Sequence, residues 1–174
     1  MLQTQRLKLR KFPSQDLDPL GGLMRNSQFM HLSLGMLSPE QTAGFLERIF
    51  AGYREHAPSQ FAVIGRAENK LIGYCGFFRQ TVDAIEEIGI GYRIDPAHWG
   101  QGIATEAARA VRDHAFTEPG LERVISLIHP DNVASCRVVE KIGMTIQKQT
   151  VFRGFPTIVF TLNAPEWKKL VRDA

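Results

Sequence analysis

Apolar positions recur every second residue in some stretches of the chain and every third or fourth in others, and the two regimes succeed one another. From Arg6 to Phe12, Leu7 and Leu9 alternate with Lys8 and Arg10, which predicts a strand with one wet face. A polar turn follows, in which Ser14 is placed to cap a short helix through Asp16, Leu17 and Leu20. Asn26 to Leu37 has no clear period and reads as a loop. Ser38-Pro39-Glu40-Gln41 combines a serine cap, a proline at the first helical position and a glutamine three residues after the serine. Phe45, Leu46, Ile49, Phe50 and Tyr53 supply that helix with an apolar face.

Phe61 to Arg66 and Leu71 to Phe78, joined by Ala67-Glu68-Asn69-Lys70, predict a hairpin whose second arm is apolar enough for an interior strand. Glu86 to Ile94 sets Glu86, Ile88, Ile90, Tyr92 and Ile94 against Glu87, Gly89, Gly91 and Arg93. Two glycines on one face mark a bulge or a place where a ligand comes close. Helical spacing returns with Ile103, Ala104, Ala107, Ala108, Val111 and Ala115 and stops at Pro119-Gly120. Glu122 to Ile128 reads as a buried strand, and His129-Pro130-Asp131-Asn132 leads into a helix bearing Val133, Val138, Val139 and Ile142, closed by Gly143. Met144 to Phe152 and Thr157 to Leu162 predict a second hairpin around Gly154-Phe155-Pro156, before a short helix near Trp167. The order is mixed α/β (α+β) with several hairpins.

Composition narrows the class. The 174 residues suit one domain, and no repeat or linker divides 1–174. With 44% apolar and 22% charged residues a buried core is available and wholesale disorder is excluded. The net charge of +3 is too small to argue for nucleic acid, and the densest basic cluster, Arg6, Lys8, Arg10 and Lys11, is interleaved with leucines as a strand face would be. The longest apolar run, Phe61-Ala62-Val63-Ile64, falls far short of the ~18 residues of a membrane span. Residues Met1 to Arg6 carry no secretory signal, which points to the cytoplasm. Cys75 and Cys136 lack a C-x-x-C spacing, so a reduced compartment fits and a metal site does not.

The segment with the most chemistry is Trp99-Gly100-Gln101-Gly102-Ile103-Ala104-Thr105-Glu106-Ala107, a glycine-rich turn between a strand and a helix. Small residues let peptide N–H groups approach a ligand, and the helix start adds unpaired donors and the positive end of its dipole, a setting for a pyrophosphate. Such turns also exist merely to pack. It is neither a P-loop, because no lysine follows Gly102, nor a dinucleotide turn, which needs a third glycine. About thirty residues on, Asn132-Val133-Ala134-Ser135 opens a helix that runs to Lys141-Ile142-Gly143. Capping alone accounts for both of its ends, but not for its pairing with the glycine-rich turn.

Taken in order, Thr4-x-Arg6-Leu7-x-Leu9-Arg10, Ile90-Gly91-Tyr92-Arg93-Ile94, Trp99-Gly100-Gln101-Gly102 with Glu106-Ala107, and Asn132-x-x-Ser135 through Lys141-x-Gly143 resemble a GNAT superfamily N-acetyltransferase of the RimJ/RimL-like branch over essentially the whole chain. The resemblance implies a single mixed, mostly antiparallel twisted sheet of about seven strands, its central strands splayed, flanked by about four helices. It implies acetyl-CoA as cofactor, with the backbone of Tyr92, Arg93 and Ile94 pairing with the pantetheine arm as a partial extra strand. Trp99, Gly100, Gln101, Gly102, Ile103, Ala104 and Thr105 would hold the pyrophosphate. Asn132 would bond the pantetheine and Ser135 would face the sulfur. Where many members have a general-acid tyrosine this chain has Val139, which leaves Ser135 as the candidate proton donor to the departing thiolate, with ordered water or no donor at all as the alternatives.

Acetyl transfer to an amine needs the neutral amine, whereas a lysine ammonium has a pKa of ~10.4 and an α-amino group ~7.7–8.0. Glu87, on the glycine-bearing face of its strand, is the candidate base, with Glu86 on the opposite face or a water relay as the alternatives. A backbone N–H on a bulged stretch between Gly89 and Tyr92 would meet the oxyanion. His129 is placed to relay a proton or merely to bond its own loop, and Cys136 reads as a small buried cysteine rather than an acyl carrier. The acceptor, a protein N-terminus or a small-molecule amine, would be read by residues 26–37 and the hairpin near Phe152 to Thr157. A catalytically silent acyl-CoA-binding module on the same fold is the rival reading, and the chain is expected to act as a monomer or homodimer.

Overall fold

The computed structural model describes residues 1–33 and 35–173, so Leu34, within the segment expected to be a loop, lies outside it. Leu7 and Leu9 are fully buried on strand β2 (Leu7–Arg10), as their alternation predicts, and β2 pairs with the two-residue β1 (Leu2–Gln3). Ser14 does not act as a cap. It lies inside a short 3₁₀ turn, and α1 (Leu17–Met24) starts after Asp16, whose carboxylate caps no helix N–H but takes two hydrogen bonds from Arg10 at 2.6 and 3.0 Å, tying the helix start to β2. Helix α2 (Pro39–Arg54) begins as its sequence dictates: Ser38 Oγ accepts from the Gln41 N–H and Gln41 Oε1 accepts from the Ser38 N–H.

Strands β3 (Gln60–Gly65) and β4 (Lys70–Val82) form the first hairpin, and β4 runs on to pair along its length with β5 (Ile85–Ile94). Helix α3 (Ile103–Thr117), strand β6 (Arg123–Ile128), helix α4 (Val133–Lys141), the hairpin β7 (Thr145–Phe152) and β8 (Phe155–Asn163), and helix α5 (Ala164–Arg172) complete the chain. The sheet order is β1-β2-β3-β4-β5-β6-β8-β7, and every neighbouring pair is antiparallel except β5 and β6. Eight strands and five helices therefore replace the expected seven and four. β1 is too short to show a period.

Both faces of the sheet are covered. Alanines 107, 108 and 115 and Val111 let α3 lie close on one face, against Leu7, Leu9, Val63 and Ile90, while α1 and α2 cover Ala62, Ile64 and Tyr74 on the other. The second hairpin turns at Arg153 and Gly154, both at positive φ, and not around Phe155 and Pro156. A two-residue turn of that hand matches the strand twist, and Pro156 is tolerated because β8 there extends beyond the end of β6. No helix among the described residues is long and apolar enough to cross a membrane.

Candidate functional site

Strands β5 and β6 are paired at a single position, Gly89 with Ile125, and part beyond it. In the gap the backbone ladder is replaced by one side-chain bond, from buried Ser126 Oγ to the Ile90 carbonyl at 2.8 Å. Alternate residues of a strand direct their peptide groups to opposite neighbours, so Tyr92, two residues on from Ile90, also turns its N–H and C=O toward the gap. The parting opens a cleft of about 640 Å³ bounded by β5, the turn before α3, the end of β6 and the first turns of α4.

The turn is locked from a distance. Gly100 and Gly102 hold φ of 74° and 77°, and Gly102 is the N-cap of α3 with no side chain over the exposed N–H groups of the first turn. Glu106 accepts hydrogen bonds from Thr4 Oγ1 (2.6 Å), the Arg6 N–H (2.8 Å) and Arg6 Nε (2.7 Å), while Arg6 Nη1 donates to the Gln101 carbonyl (2.7 Å). Burial raises the Glu106 carboxyl, but these donors outweigh it and hold the group below its ordinary range. Trp99 Nε1 donates to the Ile94 carbonyl at 2.7 Å and fastens the turn to the end of β5.

The cleft brings together Tyr92, Arg93, Ile94, Trp99, Gly100, Gly102, Ile103, Ala104, Thr105, Asn132 and Ser135. Gln101 does not line it, because its amide folds back to donate to the Ala97 carbonyl. Asn132 Oδ1 caps α4 by accepting from the Ser135 N–H at 3.1 Å, and the Ser135 carbonyl accepts from the Tyr92 hydroxyl at 3.1 Å, which ties β5 to α4. Burial pushes the Tyr92 phenol well above its usual range, so it stays protonated. The Arg93 side chain turns away from α3 and donates to the carbonyls of Phe29 (2.7 Å) and His31 (3.1 Å), so the aperiodic segment after α1 forms one wall of the cleft.

Glu87 does not line the cleft. Its carboxylate is held by the Arg123 guanidinium through Nη2 to Oε1 at 3.0 Å and Nε to Oε2 at 3.3 Å. Glu86 accepts from Thr81 Oγ1 across the β4–β5 hairpin. The bulge expected between Gly89 and Tyr92 is not there: β4 and β5 keep register from Gly73 opposite Ile94 to Val82 opposite Ile85. The two glycines instead admit neighbouring side chains, the Phe78 ring over Gly91 and the Gln80 amide beside Gly89. His129 lines the cleft and bonds its own loop, Nδ1 accepting from the Asp131 N–H at 3.2 Å. Cys136 is half-buried and not buried as expected, yet its thiol is pushed up by that partial burial and by Glu140, as suits an unreactive cysteine. Also on the cleft wall, and not foreseen, are His98, Arg137 and Lys141. The i, i+4 spacing of the last two was the available signal.

The profile of the Acetyltransferase (GNAT) domain family matches residues 6–145. The chain is 33% identical over 148 residues to the uncharacterised protein YkkB of Bacillus subtilis (strain 168), covering 84% of this chain and 86% of that one. Among solved structures, the GNAT-family acetyltransferase from Bacillus anthracis matches with a TM-score of 0.80 at 27% identity, over 94% of this chain and 98% of its own. The RimL ribosomal L7/L12 α-N-protein acetyltransferase, solved with coenzyme A, matches with a TM-score of 0.77 over 92% and 95%, but at 18% identity it speaks for the fold alone. The parted strands, the glycine turn at an uncapped helix start and the family match agree: this chain belongs to the GNAT acetyltransferase family and uses acetyl-CoA.

Proposed function

We propose that the protein moves an acetyl group from acetyl-CoA to a primary amine, a protein N-terminus or a small-molecule amine, by direct attack while both are bound, as a RimJ/RimL-like N-acetyltransferase. The parting of β5 and β6 beside the uncapped start of α3 carries this reading. The residues present suit the cofactor. The Tyr92 peptide lacks a strand partner on the cleft side, the N–H groups of Ile103, Ala104 and Thr105 are unshared at the helix start, and a Cβ at Gly100 would meet nothing within 4 Å.

Acetyl-CoA supplies an activated thioester. The backbone of Tyr92 to Ile94 holds its pantetheine amides, and residues 99–105 hold its pyrophosphate, Gln101 contributing its backbone. Asn132 holds the arm through the Nδ2 that its cap leaves over. The Ser135 hydroxyl makes no hydrogen bond to another described residue and is free to relay a proton from water to the departing thiolate, taking one from solvent as it gives its own. Arg123 takes one lone pair on each Glu87 oxygen, and one of those left over accepts the amine proton; Glu87 stands outside the cleft wall, so that proton travels through water.

Amine-dependent thiol release across a broad acceptor panel, read beside acetyl-CoA titration, tests this. Glu87→Gln is expected to lower kcat by about 100-fold with little change in acetyl-CoA affinity, and Ser135→Ala to lower kcat modestly. Unchanged kinetics in either variant removes that residue from the mechanism. Binding without thiol release for every acceptor makes the protein a silent acyl-CoA-binding module instead.

A further inference from the structure

Arg137 and Lys141 stand one helical turn apart on α4, and both line the cleft that also contains Gly102, Ile103, Ala104 and Thr105. Residues at i and i+4 share a helix face, so the two cations present a single stripe to the cleft. Neither forms an ion pair among the described residues. Arg93, also on the cleft wall, is taken up by the Phe29 and His31 carbonyls, and Arg6, Arg123, Arg112 and Lys148 pair with Glu106, Glu87, Asp113 and Asp83. Asp131 is the one carboxylate among the described cleft residues, and it lies before the start of α4, where His129 stands 3.7 Å away. Glu140, next to Lys141 in sequence, is not on the cleft wall. Arg109 Nη2 reaches to 3.5 Å from the Lys141 carbonyl, bringing further positive charge to this end of α4.

Coenzyme A carries two kinds of phosphate. Its diphosphate is a diester that peptide N–H groups at a helix start can satisfy. Its 3′-phosphate is a monoester with a charge of roughly −1.5 to −2 at pH 7 and three acceptor oxygens, and such a group is matched by side-chain cations. On the reading of the cleft as the acetyl-CoA site, we infer that Arg137 and Lys141 clamp the 3′-phosphate, so that the protein distinguishes acetyl-CoA from its 3′-dephospho form.

Calorimetric titration of the full chain with coenzyme A, 3′-dephospho-coenzyme A and adenosine 3′,5′-bisphosphate tests the clamp without reference to turnover. The native protein is expected to prefer coenzyme A to the dephospho form by about tenfold, the size of two partly exposed charge pairs. Arg137→Gln with Lys141→Gln is expected to reduce that preference to about one by weakening coenzyme A and adenosine bisphosphate while leaving the dephospho form unchanged. Both side chains are exposed, so the variant is expected to fold, and a thermal melt verifies it. A preference that survives in the double variant, or an equal loss for both coenzymes, overturns the clamp while the acetyl-CoA reading stands. Failure of the native protein to bind either coenzyme overturns that reading itself.

Discussion

Glu106 governs the cleft without entering it. One carboxylate gathers Thr4, the Arg6 peptide and the Arg6 guanidinium, and through Arg6 it fixes the carbonyl of Gln101 in the turn. Its folded pKa lies below the unfolded value of ~4.3, so its stabilisation is full above that value and is lost as pH falls through the folded one. Glu106→Gln is expected to lower Tm at pH 7 by about 3–6 °C, on the order of 1–2 kcal/mol, with the gap to the native protein closing below about pH 4. Melts across a pH series check this, and a gap that persists in acid would refute the electrostatic account. Gly102→Val should also weaken acetyl-CoA binding, because a β-branched residue is strained at φ 77° and its side chain would stand beside the helix start. Normal affinity in that variant would sink the pyrophosphate assignment. Thr4, Arg6 and Glu106 were all legible as pieces of one motif, although only the folded chain shows why they go together. The Glu87–Arg123 pair was not legible, since its members lie on strands that meet in space and not in sequence.

Among the elements, β5 does two unlike things with its two faces. The Ile90 and Tyr92 peptides face the gap, while the Arg93 side chain crosses to the other side of the sheet and holds the segment after α1 by two carbonyls. Arg93→Met should release that segment, and limited proteolysis is expected to cut between residues 26 and 33 faster than in the native protein. An unchanged cleavage pattern would show that packing of Phe29 and Met30 suffices to hold it. Alternation along β5 was readable and placed Arg93 on the glycine face. Its partners were not, because the segment after α1 has no period and offers carbonyls, which every residue carries. The same limit explains the misplaced bulge: two glycines signal close approach, and only the β4 neighbours Phe78 and Gln80 reveal what approaches.

At the scale of the whole molecule, three helices on one side of the sheet are joined by a polar junction built on the buried Arg112, with Asp113 half-exposed. Arg112 on α3 donates to the Ile142 carbonyl at the end of α4 (2.7 Å) and to Asp113, which also accepts from Trp167 Nε1 on α5 (2.7 Å). Arg112→Met would leave the Ile142 carbonyl unsatisfied, at a cost of about 1–3 kcal/mol, or roughly 2–10 °C in Tm. A thermal melt of the folded variant checks this, and an unchanged Tm would mean that water replaces the guanidinium. The periods, caps and breakers of the sequence determined which segments are helix and which are strand, because those signals are local: Ser38 with Gln41, the small-residue face of α3, the alternation of Leu7 and Leu9. They also determined the family, because its motifs keep their order along the chain. Tertiary structure alone decided which side chains share the cleft. The order of strands in the sheet parts β5 from β6, seats Glu87 against Arg123 instead of in the cleft, and brings Arg137 and Lys141 to the same wall as the start of α3. Contacts between distant residues follow from sheet order and helix packing, and neither is written in the spacing of any one segment.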